Sequence, residues 1–184
     1  MNARALNFWS RNSGTDVRLG KTRASFMDDS NYTILLVEDD ENDATLMKMA
    51  FEKNKILNPV QWVRDGLEAV AYLNGEGEYA DRAKFPFPEV LLLDLKMPRM
   101  TGMELLAWIG EHPDFRIIPT IIMTSSRQEI DVEKAYSLGA NTYMTKPCSF
   151  DELARMVQLT HEYWAVSAKP KTKLRKPVEG PGER

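Results

Sequence analysis

Five short segments of this chain have the pattern of strands, and two of them, Ile34–Val37 and Val90–Leu93, are continuously apolar. Continuous apolar runs of this length are typical of parallel strands that are buried on both faces. The predicted strands are Ile34–Val37, Val60–Val63, Val90–Leu93, 117–123 and 141–145. The run at Val90–Leu93 is the clearest, because it leads directly into Asp94 and Pro98 prevents regular structure soon after.

The stretches between these runs repeat their apolar residues at helical spacing. The predicted helices begin near residue 42, cover 67–73, begin at Thr101-Gly102, and cover 129–138 and 150–166. Asn42 or Asp43 is the expected N-cap of the first helix, and Gly139 closes the fourth. Strands alternate with helices five times, which predicts an α/β fold with a doubly wound, five-stranded parallel sheet.

The net charge of -3 is unevenly distributed. Residues 1–26 carry five basic and one acidic side chain, residues 167–184 carry six and two, and the part between them has a net charge of -11. We expect 1–30 to be a disordered extension, 31–166 to be the folded domain, and 167–184 to be a basic, disordered tail. The acidic charge of the domain opposes binding to phosphate backbones, so no nucleic-acid partner is expected.

Targeting signals and disulfides are not expected either. The chain has no run of about 18 apolar residues that would span a membrane, and its start lacks the apolar segment of a secretory signal. Its single cysteine, Cys148, cannot form an internal disulfide and fits a reducing compartment. These observations favour a cytoplasmic protein without a membrane partner.

Polar side chains stand at the ends of four predicted strands. They are Glu38 with Asp39, then Asp94, Thr124 and Lys146. Because parallel strands end at the same edge of a sheet, these side chains should lie within reach of one another. Clustered carboxylates favour a hard divalent cation, while a lysine and a hydroxyl bind phosphoryl oxygens. The set therefore indicates phosphoryl transfer onto an aspartate.

With these motifs in place, residues 32–166 resemble the receiver domains of two-component response regulators. The motifs that carry the resemblance are Leu35-Leu36-Val37-Glu38-Asp39, Leu92-Leu93-Asp94-Leu95-Lys96-Met97-Pro98, Met123-Thr124-Ser125 and Lys146-Pro147. The resemblance implies a flavodoxin-like fold and a single-domain regulator that accepts a phosphoryl group from a sensor histidine kinase. It implies signalling by protein–protein contact in a phosphorelay.

The resemblance also implies roles for the acidic residues. Asp94 would be the phosphoacceptor. Asp39 would bind Mg²⁺ directly and Glu38 through water, with Asp94 and the backbone carbonyl of Lys96 also on the metal. Asp40, the third acidic residue of its run, is assigned to the surface.

Three further residues receive roles by the same resemblance. Thr124 would bond the phosphoryl oxygen and Lys146 would form an ion pair with it. Tyr143 would change rotamer together with Thr124, the alternative being a strand aromatic packed on the last helix. The bond between Lys146 and Pro147 is expected to be cis, since X-Pro bonds reach cis at modest cost.

One departure from a minimal receiver indicates a sub-family. The segment between residues 75 and 88 is longer, as in single-domain regulators that are paired with bacterial phytochrome-type kinases. A phytochrome-type kinase is therefore the expected partner.

Two other classes of function stay open. A phosphohydrolase would need an acid two residues after its nucleophile, where this chain has Lys96. A degenerate receiver would only bind partners. The expected protein is not an enzyme but a phosphoacceptor switch, with at most Mg²⁺-dependent self-phosphorylation and slow self-dephosphorylation. Acetyl phosphate distinguishes the three by turnover, stoichiometric labelling or no reaction.

The last predicted helix has two apolar faces. The face expected to cover the sheet is formed by Phe150, Leu153, Val157, Thr160 and Trp164. A second stripe is formed by Met156, Leu159, Tyr163 and Val166. A surface helix needs one stripe, so the second predicts a homodimer through this helix. A broad core-facing stripe is the alternative.

Overall fold

The computed structural model describes residues 32–166, so the predicted extensions 1–30 and 167–184 lie outside the described residues. Strands and helices alternate through this part of the chain, as the sequence predicts. The strands are β1 (Ile34–Val37), β2 (Val60–Val63), β3 (Val90–Leu93), β4 (Thr120–Thr124) and β5 (Thr142–Thr145). The helices are α1 (Glu41–Lys53), α2 (Gly66–Asn74), α3 (Gly102–Glu111), α4 (Glu129–Ser137) and α5 (Phe150–Val166).

All five strands form one parallel sheet in the order β2-β1-β3-β4-β5. The sequence starts in the middle of this order and winds outward in both directions, which is the doubly wound, flavodoxin-like arrangement that was predicted. Val37 pairs with Leu93 at the ends of β1 and β3. The residues that follow these two strands are therefore neighbours at the carboxyl edge of the sheet.

The sheet lies between two apolar layers. On one face, Ile34, Leu36, Leu92 and their neighbours pack against α1 and α5. On the other face, Leu35, Leu91 and their neighbours pack against α2, α3 and α4. Strand residues alternate between the two faces, so strands covered on both sides must be apolar throughout, which explains their continuous apolar runs.

Two local predictions were wrong in detail. β4 begins at Thr120 instead of residue 117, because the preceding residues form a turn in which Ile118 N–H donates to the Phe115 carbonyl. The N-cap of α1 is Asp40 instead of Asn42 or Asp43. The Asp40 carboxylate accepts the backbone N–H groups of both those residues, so the helix begins earlier than predicted.

The long connection between α2 and β3 is ordered by its own contacts. It contains a 3₁₀ turn at Gly77–Ala80, which the sequence analysis did not predict. Arg82 donates hydrogen bonds of 2.8 Å to the carbonyls of Tyr72 and Leu73 at the end of α2. The segment thus gives additional hydrogen-bond donors to the last turn of that helix, at the edge of the sheet opposite to Asp94.

Helix α5 covers the sheet as predicted, with Leu153, Val157 and Trp164 buried. The second stripe is divided. Met156 is partly buried against the core, whereas Leu159 and Tyr163 are 56% and 61% exposed; the side chain of Val166 lies outside the described residues. Among the helices described here, none combines the length and the apolar character that crossing a bilayer requires.

Candidate functional site

Three carboxylates meet at the carboxyl edge of the sheet. Glu38 and Asp39 follow β1, and Asp94 follows β3. One oxygen from each lies within 4.8 Å of the other two. Glu38 and Asp94 are buried while Asp39 is exposed, so the group opens toward solvent on one side. Sequence and structure agree on these three residues as neighbours.

The chain immediately after β3 fixes the orientation of Asp94. Its Oδ2 accepts the backbone N–H of Lys96 at 2.8 Å, and its own N–H donates to the Val37 carbonyl at 3.0 Å. Gly102, at the start of α3, sits so close that a Cβ there would lie 2.0 Å from the Asp94 carbonyl oxygen. The second carboxylate oxygen, Oδ1, is thereby turned toward Lys146.

Lys146 brings a partly buried positive charge to this group. Its Nζ lies 2.6 Å from Glu38 Oε2, 2.7 Å from Asp43 Oδ2 and 3.6 Å from Asp94 Oδ1. Burial alone would lower the pKa of Lys146, but the hydrogen bonds with Asp43 and Glu38 outweigh it and raise that pKa. Burial also raises the pKa of Glu38 to about 7, against the opposing effect of Lys146.

The prediction of a cis bond between Lys146 and Pro147 was wrong, because the described residues contain no cis peptide bond. Trans is the lower-energy form of an X-Pro bond, and the lysine reaches the carboxylates without the cis form. The backbone of Lys146 is held in place by a hydrogen bond of 2.8 Å from its N–H to the Thr124 carbonyl. That bond places the ends of β4 and β5 side by side.

Thr124 and Tyr143 are joined through Ser126. Thr124 is fully buried, and its Oγ1 accepts the backbone N–H of Ser126 at 3.3 Å. The Tyr143 hydroxyl donates to the Ser126 carbonyl at 3.1 Å, and the Ser126 hydroxyl donates to Asp131 of α4. Tyr143 packs on the sheet face that carries α4, so the alternative contact with the last helix is not the one found.

Residues that the sequence analysis missed support this edge of the sheet. The Trp62 indole N–H donates to the Glu38 carbonyl at 2.8 Å. The fully buried Asp65 forms an ion pair with Arg99, which follows Pro98 in the loop after Asp94. In the same loop, the Met100 carbonyl accepts a hydrogen bond of 3.1 Å from the Gly66 N–H. These contacts join distant segments, so no local pattern in the sequence signals them.

The donor set suits a hard divalent cation. Three carboxylate oxygens in close reach provide the ligand type that Mg²⁺ and Mn²⁺ prefer, and like charges so close together are stabilised by a cation. Lys96, whose backbone carbonyl is the expected further ligand, lies two residues after Asp94 in the same loop. The residues present therefore fit a bound divalent metal.

Comparison with known proteins agrees with this geometry. Residues 34–158 match the model of the response regulator receiver domain. The response regulator Rcp1 of a Synechocystis strain is 39% identical over 139 residues, covering 74% of this chain and 92% of Rcp1.

Two solved structures support the same assignment. The phosphorylated cyanobacterial phytochrome response regulator RcpA superposes with a TM-score of 0.71 at 36% identity, covering 77% of this chain and 99% of RcpA. The Mn²⁺-bound form of Rcp1 gives a TM-score of 0.68 at 37% identity, covering 76% and 99%.

Receiver domains bind a divalent metal, interact with sensor histidine kinases, and act in general as switches that are phosphorylated on an aspartate rather than as enzymes. The match extends over most of the described residues and includes both the fold and the acidic site. The chain therefore belongs to the response regulator receiver domain family and is a two-component response regulator homologous to Rcp1 and RcpA.

Proposed function

We propose that Asp94 of this response regulator is the phosphoacceptor and that Mg²⁺ is its metal. The observation that carries the proposal is the position of Asp94, a buried carboxylate with an oxygen within 4.8 Å of Glu38 and Asp39 oxygens and 3.6 Å from the Lys146 ammonium. Within the described residues one such group of carboxylates is found, and of its two aspartates Asp94 is buried while Asp39 is exposed.

The proposed reaction is a transfer from a phosphohistidine. A new phosphorus–oxygen bond forms to Asp94, the phosphorus–nitrogen bond to the kinase breaks, and the imidazole leaves. Mg²⁺ held by Glu38, Asp39, Asp94 and the Lys96 carbonyl would neutralise charge on the phosphoryl oxygens. Lys146 supplies a further positive charge at the same oxygens, and loss of the phosphoryl group to water is slow.

After transfer, Thr124 and Tyr143 are the proposed switch residues. The buried Thr124 hydroxyl would turn to a phosphoryl oxygen and give up its bond with Ser126 N–H. Because the Tyr143 hydroxyl is bonded to the same Ser126, the change would be passed to the surface near α4. The output is a change in protein–protein contact.

Acetyl phosphate tests the phosphoacceptor assignment. The wild type should be labelled stoichiometrically in the presence of Mg²⁺, and Asp94→Asn should not be labelled. Asp114→Asn, an exposed change away from the site, is the matched control and should be labelled like the wild type. Labelling of Asp94→Asn, or labelling in excess EDTA, would contradict the proposal; continuous turnover would indicate a phosphohydrolase.

We further propose that the phosphodonor is a phytochrome-type histidine kinase in the cytoplasm. Support comes from similarity to RcpA, a phytochrome response regulator, and from the longer segment between residues 75 and 88. A phosphorylated bacterial phytochrome kinase should transfer its label to Asp94 faster than an unrelated histidine kinase does. Equal rates from both kinases would remove the basis for this partner.

A homodimer through α5 is the proposed assembly. Leu159 and Tyr163 remain 56% and 61% exposed on the second stripe of this helix. Light scattering at tens of micromolar should show a dimer for the wild type and a monomer for the Leu159→Glu/Tyr163→Glu double variant. Leu57→Glu, at a loop residue that is 90% exposed, is the control and should remain dimeric. A monomeric wild type, phosphorylated or not, would contradict the proposal.

A further inference from the structure

Lys146 is held by a carboxylate that has no part in the proposed phosphoryl transfer. Asp43 Oδ2, on the first turn of α1, lies 2.7 Å from Lys146 Nζ. Asp43 is not in the group of three carboxylates whose oxygens can share a cation. The Asp43 carboxylate does not cap α1 either, because Asp40 is the N-cap and bonds to the backbone N–H of Asp43, not to its side chain. The Asp43 side chain contacts the lysine.

Glu38, the other close partner of Lys146, faces two competing cations. Its carboxylate lies 2.6 Å from the ammonium and also belongs to the group that can hold a divalent metal. Two positive charges at one carboxylate repel each other, so a bound metal weakens the hold of Glu38 on Lys146. The lysine side chain is only 18% exposed, and water cannot freely replace a lost partner there.

We propose that Asp43 is a positioning residue that keeps the Lys146 ammonium beside Asp94 while a divalent cation occupies the acidic group, and that yields it to the phosphoryl oxygen afterwards. This proposal rests on the proposed role of Asp94. It assigns Asp43, the fourth carboxylate of the site, to the lysine instead of to the metal. The Asp43 side chain is 42% exposed, so water partly screens its ion pair with Lys146. Lys146 can therefore leave Asp43 and bind an oxygen of the phosphoryl group, which carries more negative charge than a carboxylate.

The first test measures Mg²⁺ affinity by calorimetry, without any phosphorylation. Once Asp43 is replaced, Lys146 depends on Glu38 and competes with Mg²⁺ for it. Asp43→Asn should therefore weaken Mg²⁺ binding about threefold or more in the wild type, and by a clearly smaller factor in a Lys146→Gln background. An equal factor in both backgrounds would show that Asp43 acts by its charge alone, and would overturn the proposal.

The second test uses acetyl phosphate at saturating Mg²⁺, which removes any difference in metal affinity. In this reaction the bond between phosphorus and the acetate oxygen breaks, a bond between phosphorus and an Asp94 oxygen forms, and acetate leaves. Asp43→Asn should slow labelling about fivefold or more, and Asp43→Glu should restore much of the rate. Glu41→Gln removes a neighbouring charge of the same helix turn that has no recorded contact with Lys146, and should leave the rate unchanged.

A rate for Asp43→Asn within about twofold of the wild type would refute the positioning role, since the lysine would then stay in place without Asp43. The two proposals fail in different ways. If the wild type itself is not labelled, the role of Asp94 is refuted, while the calorimetric comparison of Asp43 and Lys146 still decides whether the two residues are coupled.

Discussion

Replacing Arg99 by glutamine removes the positive partner of one buried charge, Asp65, together with a more exposed ion pair to Glu68. The Asp65 side chain is 1% exposed, and Arg99 is its ion-pair partner. Arg99 Nη2 lies against Asp65 Oδ2, while Oδ1 caps α2 by accepting Glu68 N–H at 3.0 Å. Arg99→Gln would therefore leave a carboxylate oxygen in the interior without a positive partner.

The expected loss of stability follows from the burial of the two groups. Removing one member of a buried ion pair costs about 3–5 kcal/mol. The Arg99 side chain is 54% exposed, so water can reach part of the vacated space and reduce the penalty. We expect a loss of about 2–3 kcal/mol in the free energy of unfolding, or about 6–12 °C in the melting temperature for a domain of this size.

Urea and thermal unfolding measure this loss, and a second substitution tests its cause. Asp65→Asn keeps the cap acceptor but removes the charge, so the double variant Asp65→Asn/Arg99→Gln should be more stable than Arg99→Gln alone. Lys53→Gln breaks the exposed pair between Lys53 and Asp151 and should melt close to the wild type. An Arg99→Gln variant within about 0.5 kcal/mol of the wild type would refute the reasoning.

The backbone offers a further check, because Arg99 has a φ of 61°, in the left-handed region. Glycine adopts this conformation at no steric cost. Arg99→Gly should thus lose the ion pair but recover about 1 kcal/mol of backbone strain relative to Arg99→Gln. If Arg99→Gly is as stable as the wild type, the relief of backbone strain fully offsets the loss of the ion pair, and the pair contributes less than we expect.

Two further predictions concern the site. Gly102→Ala should abolish labelling of Asp94 and lower the melting temperature, because its Cβ would overlap the Asp94 carbonyl, whereas Gly110→Ala in the same helix meets only an ordinary 3.5 Å contact and should fold and be labelled normally. Burial raises the pKa of Glu38 to about 7 from 4.5, so the folded, metal-free protein holds a proton that the unfolded chain has released, and its stability should fall as pH rises through that window. Urea unfolding in EDTA at about pH 5 and about pH 7.5 measures this fall in the free energy of unfolding, and Glu38→Gln should remove it. An equal fall in the wild type and in Glu38→Gln would show that Glu38 is not the group responsible.

The order of the elements was predictable because each buried strand needs apolar residues on both faces. The runs at Ile34–Val37 and Val90–Leu93 are too short for a typical helix and end in polar residues, and both were placed correctly. The start of β4 was not, since Ile117 and Ile118 are as apolar as the strand but belong to a turn. Apolar composition alone does not separate a strand from the turn that leads into it.

The acidic site was predictable as far as it depends on strand ends. Glu38, Asp39 and Asp94 meet because parallel strands finish at one edge, and that rule needs no knowledge of side-chain contacts. Asp43 was instead taken as a candidate cap, because within a run of acidic residues the helix start cannot be fixed to one position. The pair between Asp65 and Arg99 joins two loops and has no periodic signature in the chain.

The hydrogen bond between Lys146 and Glu38 spans 108 positions of the chain and has a consequence for synthesis. Until the last strand has been added, the carboxylates at the ends of β1 and β3 lack the ammonium of Lys146, and the sheet lacks the cover that α5 gives to one face. A nascent or prematurely terminated chain that ends before β5 therefore presents the acidic residues without the lysine. If Lys146 assists phosphoryl transfer as proposed, we expect such a fragment to be a poor phosphoacceptor.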